Sequence, residues 1–259
     1  MSYETLETAL VEGILTITIN RPSQMNALNQ VALDELHEVI DEAEKSDEIK
    51  CLIIAGSEKF FCTGADITEV NKVNSSFSGY AFSRKYQECF GRLEKLSKPV
   101  VSAVRGYALG AGCELLIASD FRIAAENAKI GLSEVNIGAI PAGGGSAKLP
   151  RIINPLKAKE IICFGKPISG KEAAEIGLVN KAVPAEQVLT EANAWAKELA
   201  QKPPLVLKTI KEIINLAYKD IDALLHYEAQ GLGMLADTED FKEGTGAFLE
   251  KRKPVFRGK

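Results

Sequence analysis

Histidine is scarce in this chain of 259 residues, which has two. His37 falls within an amphipathic helical pattern and His226 within a late helical region, so we interpret both as structural or surface residues rather than general bases. Serine nucleophiles lack support as well, because the segments around Ser133 and Ser146 miss the closing glycine of the nucleophile elbow. Hydrolysis through a serine triad is therefore disfavoured.

Long hydrophobic runs and an excess of positive charge are also missing. Charged residues interrupt the apolar stretches well before the roughly 20 residues that span a bilayer, and no basic start followed by an apolar segment opens the chain. The 31 lysines and arginines stand against 35 aspartates and glutamates, and this net charge of -4 gives no general attraction to nucleic acid or anionic membranes. With 46% hydrophobic residues, the composition predicts a globular enzyme that is neither exported nor inserted in a membrane.

Cysteine pairs for zinc binding or redox chemistry are lacking. The five cysteines have irregular spacing without a Cys-x-x-Cys motif, and no other set of metal ligands is clustered in the sequence. We therefore expect a reduced, cytoplasmic protein without a metal. Cys113 adjoins an acidic residue, but with no histidine nearby in the sequence we interpret it as a small core residue.

Glycine-rich segments are present, but they do not match nucleotide-binding motifs. The spacing from Gly106 to Gly112 is not that of the dinucleotide fingerprint, and no Gly-Lys-Ser or Gly-Lys-Thr ends a phosphate loop. The triple glycine at 143–145 precedes a predicted helix, where an anion could dock, although the match is weak. We discount hydride transfer and nucleotide-driven chemistry.

Apolar periodicity predicts strands that alternate with helices, and then a helical end. A hairpin arm at 15–19 follows a Glu-Gly turn, and buried strands are predicted at 51–55, 100–104 and 121–125. The predicted helices span 27–44, 82–96 and 111–119, with further helices after a capping box at 169–172 and after Pro203. The polar segment 71–79 is predicted as a loop. This order indicates an α/β core to about residue 180, with a candidate boundary near Pro184.

The most informative segment runs from Gly106 to Glu114. It follows an apolar run and consists mostly of glycine and alanine, so few side chains keep a ligand from the main chain. Glu114 lies in the first turn of a predicted helix, where free amides and the helix dipole favour a carboxylate. An ordinary charge at a helix start would fit the same position.

Two further segments support chemistry at this place. Glu134 lies in a predicted loop between Leu132 and Val135, whose burial would raise its pKa toward that of a working acid. The segment 62–66 can supply another free amide. Together these residues indicate two acid/base groups that face an oxyanion pocket, although a surface charge at Glu134 remains an alternative.

These residues resemble the enoyl-CoA hydratase, or crotonase, family over nearly the whole chain. The matching segments are 20–22, 26–28, 64–67, 106–114, 140–141 and 248–252. The resemblance implies an α/β fold in which a spiral of ββα units with the active site spans 1–183. It further implies that the helical region 184–259 closes the coenzyme A site and builds a homotrimer, or a homohexamer from two trimers.

The resemblance also implies roles for individual residues. The amides of Ala65 and Ala111 would form an oxyanion hole for the thioester oxygen of an acyl-CoA. Many relatives have glycine where Ala111 stands, so a methyl group is added there. Glu114 and Glu134 match the paired glutamates that hold one water for addition across the α,β double bond, whereas isomerases of the family often keep only the second.

Coenzyme A enters as part of the substrate, and no separate cofactor is implied. The candidate substrate contacts are Met25, Ala27, Ala65, Asp66, Ile67 and Gly110, with Lys251 of a neighbouring subunit for a phosphate. Relatives often have lysine where Ser23 and Thr68 stand, so this sequence departs from the family pattern at these two positions. Hydratases of branched or cyclic substrates such as methylglutaconyl-CoA or dienoyl-CoA, enoyl-CoA isomerases, and noncatalytic acyl-CoA or RNA-binding proteins remain alternatives. The loop 71–80 is a candidate determinant of the acyl group.

Overall fold

The computed structural model describes residues 3–216, 234 and 238–259. Two antiparallel strands, β1 (Leu6–Val11) and β2 (Ile14–Ile19), open the fold. Glu12 and Gly13 join them with positive φ angles of 51° and 78°, the combination that a tight hairpin turn requires. The predicted hairpin is confirmed. His226 lies outside the described residues.

A six-stranded sheet forms the centre of the molecule. Its order is β1-β2-β3-β5-β7-β10, and all neighbours from β2 onward are parallel. The added strands are β3 (Cys51–Ala55), β5 (Val100–Val104), β7 (Phe121–Ala125) and β10 (Lys181–Val183). β3, β5 and β7 coincide with the predicted strands, because mainly apolar runs are typical of parallel strands covered on both faces.

A second, smaller sheet was not predicted by periodicity. Its order is β4-β6-β8-β9, with β4, β6 and β8 parallel and β9 antiparallel to β8. The strands are β4 (Phe60–Cys62), β6 (Tyr107–Leu109), β8 (Lys129–Gly131) and β9 (Ile168–Ser169). Strands of two or three residues are too short to show an alternating pattern.

The two sheets are built by successive turns of one spiral. Each of β3, β5 and β7 enters the large sheet and is followed by β4, β6 or β8 in the small sheet, after which the chain turns helical. The helices of this part are α1 (Gln30–Lys45), α2 (Ile67–Val70), α3 (Ser76–Lys95), α4 (Ala111–Ile117), α5 (Gly145–Ile152), α6 (Pro155–Phe164) and α7 (Gly170–Glu175). This arrangement confirms the α/β spiral of ββα units.

Two helix starts differ from the sequence expectation because side chains cap them. α1 begins at Gln30 rather than at 27, since the Asn29 side chain accepts a hydrogen bond from Ala32 N. α3 begins at Ser76, because Ser75 caps it together with Ser78, and the predicted loop 71–79 is correspondingly shorter. The predicted capping box at 169–172 is confirmed.

The described chain after residue 184 consists mainly of helices and ends in an irregular segment at 250–259. It contains α8 (Val188–Leu199), α9 (Pro204–Leu216) and α10 (Glu239–Leu249). α8 packs against β3, β5 and β7 of the large sheet and buries Val188, Ala192 and Ala196. The division at 183/184 and the role of the end region in assembly stay predictions. None of the helices described is long and apolar enough to cross a bilayer.

The cysteines are free, and four of the five are buried. Cys113 is 1% exposed and belongs to the main hydrophobic core, as interpreted from the sequence. Burial raises the pKa of the Cys62 thiol to about 12, so that it stays protonated at neutral pH. These buried thiols fill the core and are poor nucleophiles.

α4 packs directly on the small sheet because Gly112 has no side chain. A Cβ atom at this position would lie 2.1 Å from the carbonyl oxygen of Cys62 at the end of β4. Such a distance is far inside van der Waals contact, and the obstructing atom belongs to the backbone. Glycine at 112 therefore lets the first turn of α4 approach β4.

We expect Gly112→Ala to lower the free energy of unfolding by about 1–3 kcal/mol, the usual cost of forcing extra volume into a packed site. Urea unfolding followed by circular dichroism measures the change. Gly246→Ala in α10 is the matched control, because the added Cβ meets no described atom within 4 Å. That control should be slightly stabilised, by about 0.5–1 kcal/mol. Equal unfolding midpoints for Gly112→Ala and the parent would contradict this account of the packing.

Candidate active site

Three parallel strands of the small sheet bring the predicted site residues together. Residues 63–66 follow β4, Gly110 and Ala111 follow β6, and Glu134 comes three positions after β8. The carboxyl ends of neighbouring parallel strands lie at one edge of a sheet, where α/β folds commonly bind ligands. Segments distant in sequence thus meet at a cavity of about 750 Å³, and Ala65, Ala111, Glu114 and Glu134 all line it.

The backbone around Ala65 directs its amide away from a neighbouring segment. Leu28 N donates to Gly64 O and Asp66 N donates to Leu28 O, each at 2.8 Å, which together form a parallel bridge between Leu28 and Ala65. In such a bridge Leu28 bonds to the residues on either side of Ala65, so the N–H of Ala65 itself points away from Leu28. Because Ala65 also lines the cavity, its amide is available to an acceptor there.

The amide of Ala111 is the first of helix α4. The first N–H groups of a helix have no acceptor within the helix, and they lie at its amino-terminal end, which is the positive end of the helix dipole. A Cβ at Gly64 would lie 3.9 Å from Ala111 N, so the two amide segments are adjacent. Ala111 is 5% exposed and belongs to the hydrophobic core. The alanine thus preserves the amide that a glycine would provide.

Glu114 is a buried carboxyl at the start of α4. Its side chain accepts a hydrogen bond from Gly145 N at 2.8 Å, and Glu114 is 4% exposed. Its other oxygen faces Gly143 so closely that a Cβ there would lie 2.4 Å away. Burial raises the pKa of Glu114 from 4.5 to about 7, although the amides of Gly145 and Gly143 oppose the shift. Glu114 can therefore exchange a proton near neutral pH.

Glu134 begins a short 3₁₀ turn after β8 rather than lying in an open loop. One of its carboxylate oxygens, Oε2, is buried and has no hydrogen-bond partner among the residues that the structure describes. Its Oε1 lies 3.1 Å from where a Cβ of Gly110 would stand. Burial raises the pKa of Glu134. Of the two neighbours expected to bury it, Leu132 is buried but Val135 is 42% exposed.

Gly110 allows the two carboxyl-bearing segments to approach each other. Its φ and ψ of 51° and −124° are strained for a residue with a side chain, and it stands directly before α4. The negative charge of Glu134 contributes to the raised pKa of Glu114. Two acids coupled in this way release their protons in successive steps, so the pair can hold one proton at neutral pH. The arrangement is suited to acid/base chemistry beside an anion-stabilising pocket.

The predicted coenzyme A contacts divide into two groups. Those that line the cavity are Met25, Ala27, Ala65, Asp66, Ile67 and Gly110. Lys251 is exposed and does not line the cavity of its own chain, and its predicted contact is to a neighbouring subunit. Within 3–216, 234 and 238–259, no group of three or more histidine, cysteine or acidic side chains is arranged to hold a metal ion.

Asp66 has a structural task that its sequence position did not reveal. Its carboxylate pairs with Arg21 at 3.0 Å and accepts hydrogen bonds from the amide and hydroxyl of Thr68, which it caps at the start of α2. The hydroxyl bond to Thr68 is the largest cause that lowers the pKa of Asp66. Asp66 is therefore an anchored anion, unlike the two glutamates.

Sequence reasoning missed two features that shape the site. The triple glycine was considered for phosphate, but Gly145 instead donates its amide to Glu114 of the same protein. Tyr86 falls on the apolar stripe that predicts the helix 82–96, yet its hydroxyl donates to Leu28 O at 2.9 Å, beside the bridge that orients Ala65. A phenol on an otherwise apolar stripe was the available signal, because a buried hydroxyl needs a partner.

Comparisons with known proteins agree over the full length of the chain. A family model described as enoyl-CoA hydratase/isomerase matches residues 10–259. The short-chain-enoyl-CoA hydratase of Clostridium acetobutylicum is 40% identical over 242 residues, which cover 93% of this chain and 92% of that protein. The crotonyl-CoA hydratase of Syntrophomonas wolfei is 40% identical over 261 residues, 100% of both chains.

The fold is similar to solved structures as well. The crystal structure of an enoyl-CoA hydratase from Bacillus anthracis matches with a TM-score of 0.94 at 35% identity, covering 99% of this chain and 100% of that one. A structure of DspI from Pseudomonas aeruginosa matches with a TM-score of 0.94 at 29% identity, covering 99% and 98%. The chain therefore belongs to the enoyl-CoA hydratase/isomerase, or crotonase, family.

Proposed function

We propose that this protein is an enoyl-CoA hydratase, which reversibly adds water across the α,β double bond of a 2-enoyl-CoA thioester to give a 3-hydroxyacyl-CoA. The observation that carries the proposal is the pair of raised-pKa carboxyls, Glu114 and Glu134, that line one cavity with the amides of Ala65 and Ala111. Its relatives described as enoyl-CoA hydratases support the same activity.

In the proposed mechanism, the amides of Ala65 and Ala111 donate hydrogen bonds to the thioester oxygen. As water attacks the β-carbon, electron density moves through the double bond to that oxygen, and the two donors stabilise the resulting enolate. Glu114 takes the proton from the attacking water, and Glu134 delivers a proton to the α-carbon. The reverse sequence removes water. No cofactor is needed, because the thioester itself supplies the electron sink.

Two acids favour hydration over double-bond isomerisation. Moving a double bond requires one group that takes a proton and returns it, whereas adding water requires both activation of water and protonation of carbon. In this proposal Glu114 activates the water, and Glu134 protonates the carbon. The placement of Glu114 in the first turn of α4, the helix that begins with Ala111, keeps the attacking water beside the oxyanion pocket.

The charge of the cavity lining favours an uncharged acyl group. The charged side chains that line it, among those described, are Asp66, Glu114 and Glu134, all of which are acidic. A carboxylate on the acyl chain, as in methylglutaconyl-CoA, would be brought close to like charges in a partly desolvated space. We therefore place neutral enoyl groups ahead of carboxylated ones.

The helical region 184–259 is proposed to assemble the protein into trimers or hexamers. In such an assembly Lys251 of one subunit would contact a phosphate of the coenzyme A bound by another. This proposal comes from the family resemblance and from the exposed position of Lys251 outside the cavity.

We expect Glu114→Gln and Glu134→Gln each to lower kcat for crotonyl-CoA hydration by about 10²- to 10⁴-fold, the usual contribution of a positioned acid or base. Binding of a saturated acyl-CoA should change little, because glutamine keeps the shape of the side chain. Loss of enoyl absorbance measures the rate, and calorimetry measures binding.

The matched control is Glu126→Gln, which replaces an exposed glutamate that does not line the cavity. Its rate should equal that of the parent. Full activity in both site variants would refute the roles of Glu114 and Glu134, and equal losses in all three variants would point to a general effect of removing a negative charge.

The pH dependence of the reaction should report the coupling of the two acids. We expect kcat/KM for hydration to fall as the pH drops below about 7, because Glu114 must be ionised to accept a proton from water. Since the charge of Glu134 raises the pKa of Glu114, the residual activity of Glu134→Gln should lose its acid limb at a lower pH than the parent. A limb that stays at the same pH would show that the carboxyls do not interact.

The raised pKa of Glu114 should also cost the folded protein stability at high pH. Because its folded pKa of about 7 exceeds the ordinary 4.5, the stabilising contribution of the protonated form is complete below pH 4.5 and lost as the pH rises through 7. We expect Glu114→Gln to be more stable than the parent by about 3 kcal/mol at pH 8.5, and the gain to shrink toward pH 5. Urea unfolding at both pH values measures this, and a gain independent of pH would contradict it.

A further inference from the structure

One face of α3 forms a wall of the cavity. Gly79, Phe82, Ser83 and Tyr86 all line it, at the spacing of three, four and seven residues that places side chains on one helical face. Tyr86 marks the end of this wall near the glutamates, since its Cβ lies 3.2 Å from where a Cβ of Gly143 would stand. Gly79 lies two turns away, about 10 Å along the helix axis.

The wall next to α3, formed by the segment 140–142, is hydrogen-bonded to this helix. Ser83 Oγ donates to Ala142 O at 2.7 Å, and Gln87 Nε2 donates to the same oxygen at 2.8 Å. Ala142 and Ile140 line the cavity on this side. These hydrogen bonds hold the 140–142 segment against α3, so the side chains along the α3 wall determine how much of the cavity beside this contact is open.

Gly79 is not required by the fold itself. It lies inside a helix, where glycine is less favourable than alanine, and its backbone angles are ordinary for a helix. A Cβ there would meet Cγ1 of Val73 at 3.5 Å, which is normal contact. An alanine would thus fit, but a longer side chain would fill the space between α3 and Val73, which also lines the cavity.

We propose that Gly79 determines acyl-chain length by keeping the far end of the cavity open to neutral enoyl chains longer than crotonyl. This inference rests on the proposed function, because it places the acyl group along α3 with its reacting carbons near the glutamates. The chain extends from Tyr86 past Phe82 toward Gly79 and Val73. Phe82 and Val73 are apolar, and Gly79 has no side chain. The one polar group on this path, the hydroxyl of Tyr86, is already hydrogen-bonded to Leu28 O.

The test compares Gly79→Leu and Gly79→Ala with Gly91→Leu. Gly91 lies in the same helix, about 18 Å farther along its axis, does not line the cavity, and has no described atom within 4 Å of an added Cβ. The substrates are crotonyl-, 2-hexenoyl-, 2-octenoyl- and 2-decenoyl-CoA, and kcat/KM is measured for each. A chain-length effect appears as a change in the ratio of the octenoyl to the crotonyl value.

We expect the parent to hydrate 2-octenoyl-CoA with a kcat/KM within about tenfold of that for crotonyl-CoA. Gly79→Leu should lower the octenoyl to crotonyl ratio by about tenfold or more while the crotonyl value changes less than about threefold. Gly79→Ala should lower the ratio slightly, and Gly91→Leu should leave it unchanged. An unchanged ratio in folded Gly79→Leu, or an equal fall in Gly91→Leu, overturns the proposal. If Gly79→Leu does not fold, the ratio in Gly79→Ala decides.

A binding measurement separates this inference from the proposed reaction. Calorimetry with butyryl-CoA and octanoyl-CoA tests length selection without any turnover. If the parent hydrates no enoyl-CoA yet Gly79→Leu selectively weakens octanoyl-CoA binding, the proposed function fails and the role of Gly79 stands. If hydration is observed but Gly79→Leu does not affect octanoyl-CoA binding, the proposed function stands and the role of Gly79 fails.

Discussion

The close approach of α4 to the small sheet is the contact on which the site depends. A side chain at Gly112 would collide with the backbone at the end of β4, and one at Gly110 would crowd Glu134. With both absent, the first amide of α4 comes to lie beside the segment that carries Ala65. Backbone amides can stabilise an oxyanion only where the backbone itself is correctly placed. Here that placement depends on the absence of side chains at Gly110 and Gly112.

The acidic residues of the cavity show how environment divides one chemical group between two tasks. Asp66 has an arginine and two donors from Thr68, which keep its pKa low and make it a fixed link between segments. Glu114 is more deeply buried and has amide donors but, among the described residues, no ion pair, so burial dominates and its pKa rises. A carboxyl group thus keeps a low pKa where it is well paired, and its pKa rises where burial outweighs the pairing. The large apolar core around Glu114 contributes stability that offsets the energetic cost of burying this carboxyl.

Much of this fold was predictable from the sequence because its large sheet carries a strong signal. β3, β5 and β7 are mostly apolar and largely buried, although β5 contains Ser102 and β7 contains the half-buried Arg122, and their ends are correctly predicted to the residue. The small sheet left no such signal, since strands of two or three residues are too short to repeat an alternating pattern. The spiral that relates the two sheets followed only from the family resemblance. Helix starts differed where a side-chain cap, as at Asn29, overrode periodicity.

The candidate site was predictable for a different reason, and only in part. Glu114 and the glycines before it form a local motif whose chemistry can be read without the fold. Glu134 lies twenty residues away, and nothing in its own surroundings indicates that it faces Glu114 until β6 and β8 are paired. The use of Gly145 as a donor to Glu114 depends on a loop reaching back to α4, which periodicity does not encode. The short strands β4, β6 and β8 carry no recognisable sequence pattern, which makes this site hard to predict. Because each of them ends after three residues, the residues that follow can line the cavity.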